Sequence, residues 1–195
     1  MRAFLAISLP SGVRAQLASL QRELARSEAD VKWVEPENLH VTLKFLDEVT
    51  EEQRQGVEAA LARVAGSEAP FSLGLDQLGA FPSMSAPRVI WVGLGEGRDT
   101  ARRIAEAIER EVAALSLLKE ERPFAAHITL GRVRSPRGRQ ALVHQLAGVR
   151  WESLPPWRVT SLALCRSELS SAGPHYTMLA DIPLGSSQST VHGLQ

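Results

Sequence analysis

Two four-residue stretches carry the side chains best suited to chemistry. His40-Val41-Thr42-Leu43 recurs, with one conservative change, as His127-Ile128-Thr129-Leu130, 87 positions later. Both alternate polar and apolar residues, the period of a half-buried β-strand. On such a strand residues i and i+2 project from one face, so His and Thr of each copy stand together. Val41, Leu43, Ile128 and Leu130 then point into a core. An imidazole has a pKa of about 6.5, so near neutrality one of a pair can hold a proton while the other is free. Facing each other across one phosphorus atom, two such rings supply a general base for attack and a general acid for departure. Each Thr hydroxyl can donate to a non-bridging phosphate oxygen. The scheme needs neither metal nor cofactor. Zinc sites usually gather three or four ligands, and neither motif has a second His or an acid at i+2.

The elements around each copy repeat as well. Alternation over Phe4–Leu9 predicts a first strand, ended by Pro10 and Gly12. Val13, Leu17, Leu20 and Leu24 share one face of a helix over about 11–29, and a short extended piece covers Val31–Val34. The first His-x-Thr strand spans about 39–46. Thr50 and Gln53 form a capping box for a helix running to about Ala65, with Gly66 as its stop. Strands are predicted near 70–78 and 88–94, separated by a loop over Gly79–Pro87. The second half follows with a helix over about 99–118, a Pro123-containing link, the second His-x-Thr strand at 124–133, and a short helix with Leu142, Val143 and Leu146. Closing strands lie near 157–166 and 175–184, split by a turn at 170–174. The strand at 88–94 fits either as the close of the first lobe or the opening of the second.

Two copies at a period near 87 indicate duplicated lobes, since solenoid repeats are shorter and more numerous. Strands without regular helix alternation argue against a doubly wound parallel sheet. The expected class is α+β and bilobal. Each lobe is a mostly antiparallel sheet with outer helices, and a pseudo-twofold relates the lobes around a central cleft. Residues 1–185 form this single domain, and 186–195, polar and unpatterned, read as a disordered tail.

Composition narrows the partners. The chain has 195 residues, with 22 basic and 22 acidic side chains and zero formal net charge. Proteins that grip long nucleic acids carry a basic excess, because phosphate neutralisation supplies most of the affinity. Any nucleic-acid contact here should be short: an end or a few phosphates. Lys occurs only at 32, 44 and 119, and the other basic residues are Arg, the better bidentate phosphate ligand. Arg richness of this kind also follows from codon bias. Cys165 stands alone, which excludes an intrachain disulfide and points to a reducing compartment. No stretch approaches transmembrane length, so a cytoplasmic monomer without membrane contact is expected.

These residues resemble a known family. The two His-x-Thr-Leu motifs are similar to those of the 2H phosphoesterases, in the branch called RNA 2′,3′-cyclic phosphodiesterase or 2′–5′ RNA ligase. The similarity extends to Arg2-Ala3-Phe4-Leu5-Ala6-Ile7, Trp33, Asn38-Leu39, Lys44-Phe45-Leu46, Gly79-Ala80-Phe81-Pro82, Arg88-Val89-Ile90-Trp91, Phe124, Gly131-Arg132, Ser167-Glu168-Leu169 and Gly173-Pro174-His175-Tyr176. It implies metal-independent hydrolysis of a terminal 2′,3′-cyclic phosphate to a 2′-phosphate, on RNA ends or nucleotides, with His40 and His127 catalytic. It also implies that Arg132 touches substrate. Strict alternation would turn Arg132 away from His127, so the strand must end or twist there. Thr42 and Thr129 are the phosphate-binding candidates. The motifs are too alike to divide acid from base, though His127 is preferred as base. Lys44 shares the parity of His40, and Phe45 and Tyr176 are candidates for stacking on a base or for core. His144, His175 and His192 need no chemical role. Two departures stand beside the motifs: Ala126 where the family often has Pro, and Asp47 where it often has Gly. Action on a 2′–5′ linkage, on a cyclic phosphate in a non-RNA metabolite, or non-catalytic binding of RNA ends would use the same cleft.

Overall fold

The computed structural model of the chain describes residues 1–115, 117, 124–150, 154–170 and 173–185. The predicted tail at 186–195 and the link at Pro123 lie outside them. In chain order the elements are β1 (Arg2–Ser8), α1 (Ser11–Ala25), β2 (Val31–Trp33), β3 (His40–Glu48), α2 (Glu51–Ser67), β4 (Phe71–Leu73), β5 (Leu75–Phe81), β6 (Val89–Leu94), α3 (Arg98–Val112), β7 (His127–Val133), α4 (Arg139–Gly148), β8 (Trp157–Val159), β9 (Ser161–Ser170) and β10 (Gly173–Pro183).

The strands form two four-stranded sheets, in the orders β10-β9-β1-β3 and β2-β7-β6-β5, with β4 and β8 pairing as a separate ribbon. All the pairings are antiparallel. The class is therefore α+β with a duplicated plan, but each sheet draws on both halves of the sequence. The sheet of β3 takes its other strands from β1 and the C-terminal hairpin β9–β10. The sheet of β7 is completed by β2, β5 and β6. Val89–Leu94 thus belongs with the second His-x-Thr strand, and its position 87 residues after β1 makes it the counterpart of that strand. The helices cross over too. From the first half, α1 lies against β7, where buried Gln21 donates to the Leu130 carbonyl at 2.8 Å. From the second half, α3 packs on β3 and on α2. One apolar core runs through both lobes, and β3 and β7 lie side by side where the sheets meet.

Several boundaries differ from the sequence reading, each for a local reason. The expected strand over 70–78 is two strands, broken at Gly74, whose N–H and C=O are taken by Glu96 and Gly95. The break lets β4 leave for β8 while β5 continues through Gly79–Phe81, a stretch expected to be loop. Gly79 belongs there because the Trp91 ring lies across it, and a Cβ would sit 2.3 Å from that ring. Thr160 divides the expected 157–166 strand in the same way, and a strand resumes at Gly173 inside the expected turn. The Thr50–Gln53 capping box is present with both reciprocal bonds, but α2 passes through Gly66 to Ser67, whose hydroxyl bonds the Val64 carbonyl. Among the described residues no helix is long and apolar enough to cross a membrane. Cys165 is buried, and burial together with Asp181 pushes its thiol up to about 11, so it stays a thiol near neutrality.

Asp47 is the departure from the family pattern with a structural consequence. It follows a break in the β1–β3 register and has φ of 58°, the left-handed region where Gly is at ease. Its exposed contact with Arg2, at 3.4 Å, offers little in return. Asp47→Gly is expected to stabilise the fold by up to about 1 kcal/mol, and Asp47→Val to destabilise it. Urea denaturation midpoints of the two variants check this.

Candidate active site

His40 and His127 open the two adjacent strands β3 and β7 and line one cleft with Thr42 and Thr129. The two motifs hold their rings alike. His40 Nδ1 lies 2.6 Å from the Asn38 carbonyl, and His127 Nδ1 lies 2.7 Å from the Ala125 carbonyl. A carbonyl only accepts, so Nδ1 carries the hydrogen in both rings and Nε2 is the nitrogen left to exchange a proton. At His40 that nitrogen is 2.9 Å from the Thr42 hydroxyl. Asn38 is itself anchored, donating from Nδ2 to the Pro174 carbonyl at 2.9 Å.

Each ring rests on aromatic neighbours. Phe4 stacks on His40 at 4.7 Å, and Tyr176 meets it edge-on at 5.4 Å. Phe81 and Trp91 meet His127 at 5.4 and 6.2 Å. Phe4 and Trp91 are themselves 87 positions apart, so the duplication includes the supports as well as the histidines. Burial lowers both imidazole pKa values below the ordinary histidine range. The other imidazole's charge also lowers that of His40, and Arg132 also lowers that of His127, while the carbonyl bonds oppose the shift in each case. Among the described residues no group of three His, Cys, Asp or Glu side chains converges as metal ligands. The cleft encloses about 560 Å³, the size of a small-molecule site. It brings two imidazoles and two hydroxyls to one space.

A model of the family described as LigT-like phosphoesterase matches residues 7–91 and again residues 92–176. The chain belongs to the LigT-like phosphoesterase family. This is the 2H group that the motifs suggested, and the two matches divide the chain as its duplication does. The chain is 35% identical over 177 residues to a Methanothermobacter thermautotrophicus protein named RNA 2′,3′-cyclic phosphodiesterase, covering 91% of this chain and 95% of that one. A Thermus thermophilus protein of the same name is 38% identical over 192 residues, covering 94% and 90%. Among solved structures, TT0787 of Thermus thermophilus superposes with a TM-score of 0.80 at 34% identity, covering 96% of this chain and all of that one. Escherichia coli LigT complexed with 3′-AMP superposes with a TM-score of 0.76 at 27% identity, covering 94% and 97%.

In this LigT-like phosphoesterase the remaining expected residues are placed by β-bulges. The β6–β7 register slips between Ile90 and Trp91, leaving Leu130 opposite no partner. Parity is reset, so Arg132 projects from the same face as Thr129 and joins the cleft lining. The Leu130 carbonyl is taken instead by the Val34 N–H at 2.9 Å and by Gln21 Nε2. In the β1–β3 pairing a slip between Leu5 and Ala6 skips Leu43, the equivalent of Leu130. It turns Lys44 inward, where its Nζ bonds Glu109 on α3 at 2.5 Å and its side chain is 2% exposed. Lys44 is therefore neither on the cleft face nor a solvated strand end. Phe45 turns outward into the cleft, 61% exposed, so it is not core.

Phe45 and Arg132 occupy equivalent positions of the two motifs, and the cleft owes part of its direction to them, with an apolar wall on one side and a guanidinium on the other. Lys32, opposite Arg132 across the β2–β7 pair, adds a second cation to that wall. Sequence reasoning passed over Lys32, and its place among only three lysines was the available signal. His175, given no role, lies on the cleft rim.

Proposed function

We propose that this phosphoesterase is a metal-independent RNA 2′,3′-cyclic phosphodiesterase. One observation carries the reading: two imidazoles from equivalent strands, each with Nδ1 tied to a carbonyl two residues back and Nε2 left for proton exchange, line a single cleft with Thr42, Thr129 and Arg132. The names of the relatives support the substrate class. Water attacks the cyclic phosphate, the bond from phosphorus to the 3′ oxygen breaks, and a 2′-phosphate and a 3′-hydroxyl result. We assign His127 the proton from water; Arg132 beside it favours its neutral form, and burial favours the neutral form of both rings. His40 gives its proton to the departing 3′ oxygen. The threonine hydroxyls and Arg132 stabilise the charge that builds on the non-bridging oxygens. Both histidines come from one chain, so a monomer suffices, and the lone buried thiol suits the reducing cytoplasm.

The test is turnover of 2′,3′-cyclic nucleotides and of an oligonucleotide with a cyclic-phosphate end, with and without EDTA. Formation of 2′-phosphate unaffected by EDTA is expected. Loss in EDTA would revive a metal mechanism, and binding without turnover would make the protein a reader of RNA ends. A 2′–5′-linked dinucleotide cleaved faster than the cyclic substrate would shift the assignment to that linkage.

The pH profile of kcat/KM should be bell-shaped, because one imidazole must be protonated and the other free. Both free-enzyme pKa values are lowered, so its maximum should fall below about 6.5. A bound phosphate anion favours imidazolium, so the alkaline limb of kcat should lie at higher pH than that of kcat/KM. A monotonic profile across the histidine range would overturn the two-imidazole scheme.

A further inference from the structure

His127 also forms a wall of a second cavity, of about 220 Å³, that the two-imidazole chemistry does not use. Its other walls include Asp76, Gln77, Phe81, Trp91, Arg98 and Ala125. The volume is below that of sites that take a whole small molecule, roughly 300 Å³ and upward, and leaves room for one ring system. Its lining matches such a group. Phe81 is 39% exposed and packs against the Trp91 ring at 5.0 Å, and Trp91 is seated on Gly79 with no space for a Cβ between them. The platform is therefore built into the sheet. Of the five Phe in the chain, only Phe45 and Phe81 are exposed, one in each cavity. Gln77 brings an amide able to meet the edge of a base. Arg98, at the start of α3, has no carboxylate partner among the described residues and is open to an anion.

A nucleoside closed by a 2′,3′-cyclic phosphate has only one possible chain neighbour, on its 5′ side. That neighbour must leave the cleft past one of its walls, and the cavity sharing His127 is the adjoining space with an aromatic face and a cation. We propose that the cavity holds the base of the nucleotide immediately 5′ of the cyclic phosphate, stacked on Phe81, with Arg98 paired to the phosphodiester joining the two. This rests on the cyclic-phosphodiesterase reading of the main cleft. It adds that the enzyme measures at least two nucleotides and prefers a chain end to a free nucleotide. Stacking on an exposed aromatic tolerates any base, so the preference is for length more than sequence.

The experiment compares kcat/KM for a 2′,3′-cyclic mononucleotide and for a dinucleotide ending in the same cyclic phosphate. Wild type should favour the dinucleotide by about tenfold or more. Arg98→Gln and Phe81→Leu, which keep the bulk of exposed side chains, should each reduce that ratio, and together bring it near unity. The ratio is the readout because a general loss of folding or of proton transfer lowers both substrates alike. Equal kcat/KM for the two substrates in wild type, or variants that leave the ratio unchanged, overturns the subsite while leaving the main reading intact. Failure to hydrolyse either substrate overturns the main reading and the subsite with it.

Discussion

His40→Ala or His127→Ala is expected to lower kcat on a 2′,3′-cyclic nucleotide by roughly 10² to 10⁴, about 3–5 kcal/mol of transition-state stabilisation. Either ring is only half-buried, and the core beneath it is made by Val41, Leu43, Ile128 and Leu130, so folding should survive the change. The two losses should not multiply. If attack and departure occur in one displacement, each imidazole works on the same transition state, and the double variant should lose far less than the product of the single ones. Substitution by Asn, which keeps a polar side chain but cannot shuttle a proton near neutrality, should be nearly as damaging as Ala. Steady-state kinetics with circular dichroism as a control for folding decides the matter. Near-full activity in either Ala variant would remove that histidine from the chemistry.

The histidines were legible because their chemistry and their duplication coincide in the sequence. The 87-residue period extends to the aromatic supports Phe4 and Trp91, so a facing pair follows from the architecture. Parity along the strands was less legible. Alternation alone places Lys44 with His40 and turns Arg132 away from His127, and both statements fail for the same reason. A bulge at Leu43 and another at Leu130 shift the side chains that follow them, Lys44 and Phe45 in β3 and Arg132 in β7, by one step. Such a bulge depends on partners far away in sequence: the Leu130 carbonyl is satisfied by Gln21 on α1 and by Val34, neither of which a local pattern connects to it. The exchange of hairpins between sheets is hidden likewise. Leu75–Phe81 and Val89–Leu94 have the same composition whichever sheet they join, and only packing around the pseudo-twofold docks this hairpin on β7 through β6. Glycine gave a mixed signal. Gly74 breaks a strand, Gly79 sits inside one because an indole lies across it, and Gly66 interrupts nothing. The residue type alone does not distinguish these cases, because the neighbour that decides each one is remote in sequence.

Arg132→Ala should cost about 10- to 100-fold in kcat/KM, the range for a hydrogen bond to a charged group. Arg132→Lys should recover only part of this, since an ammonium restores the charge but not the planar fork that meets two phosphate oxygens. The same variants also probe His127. The Arg132 charge is one cause of that ring's lowered pKa, so removing it raises the His127 pKa by relieving repulsion of the imidazolium. The limb of the kcat/KM profile governed by His127 must therefore move to higher pH in Arg132→Ala and stay close to wild type in Arg132→Lys. With His127 as the base, and with the lower pKa of the pair, the acid limb moves and the bell narrows. Movement of the alkaline limb, with a broader bell, would assign the higher pKa to His127 and favour it as the acid. An unchanged profile together with unchanged kcat/KM would show that the bulge at Leu130 brings Arg132 to the cleft without bringing it to the phosphate.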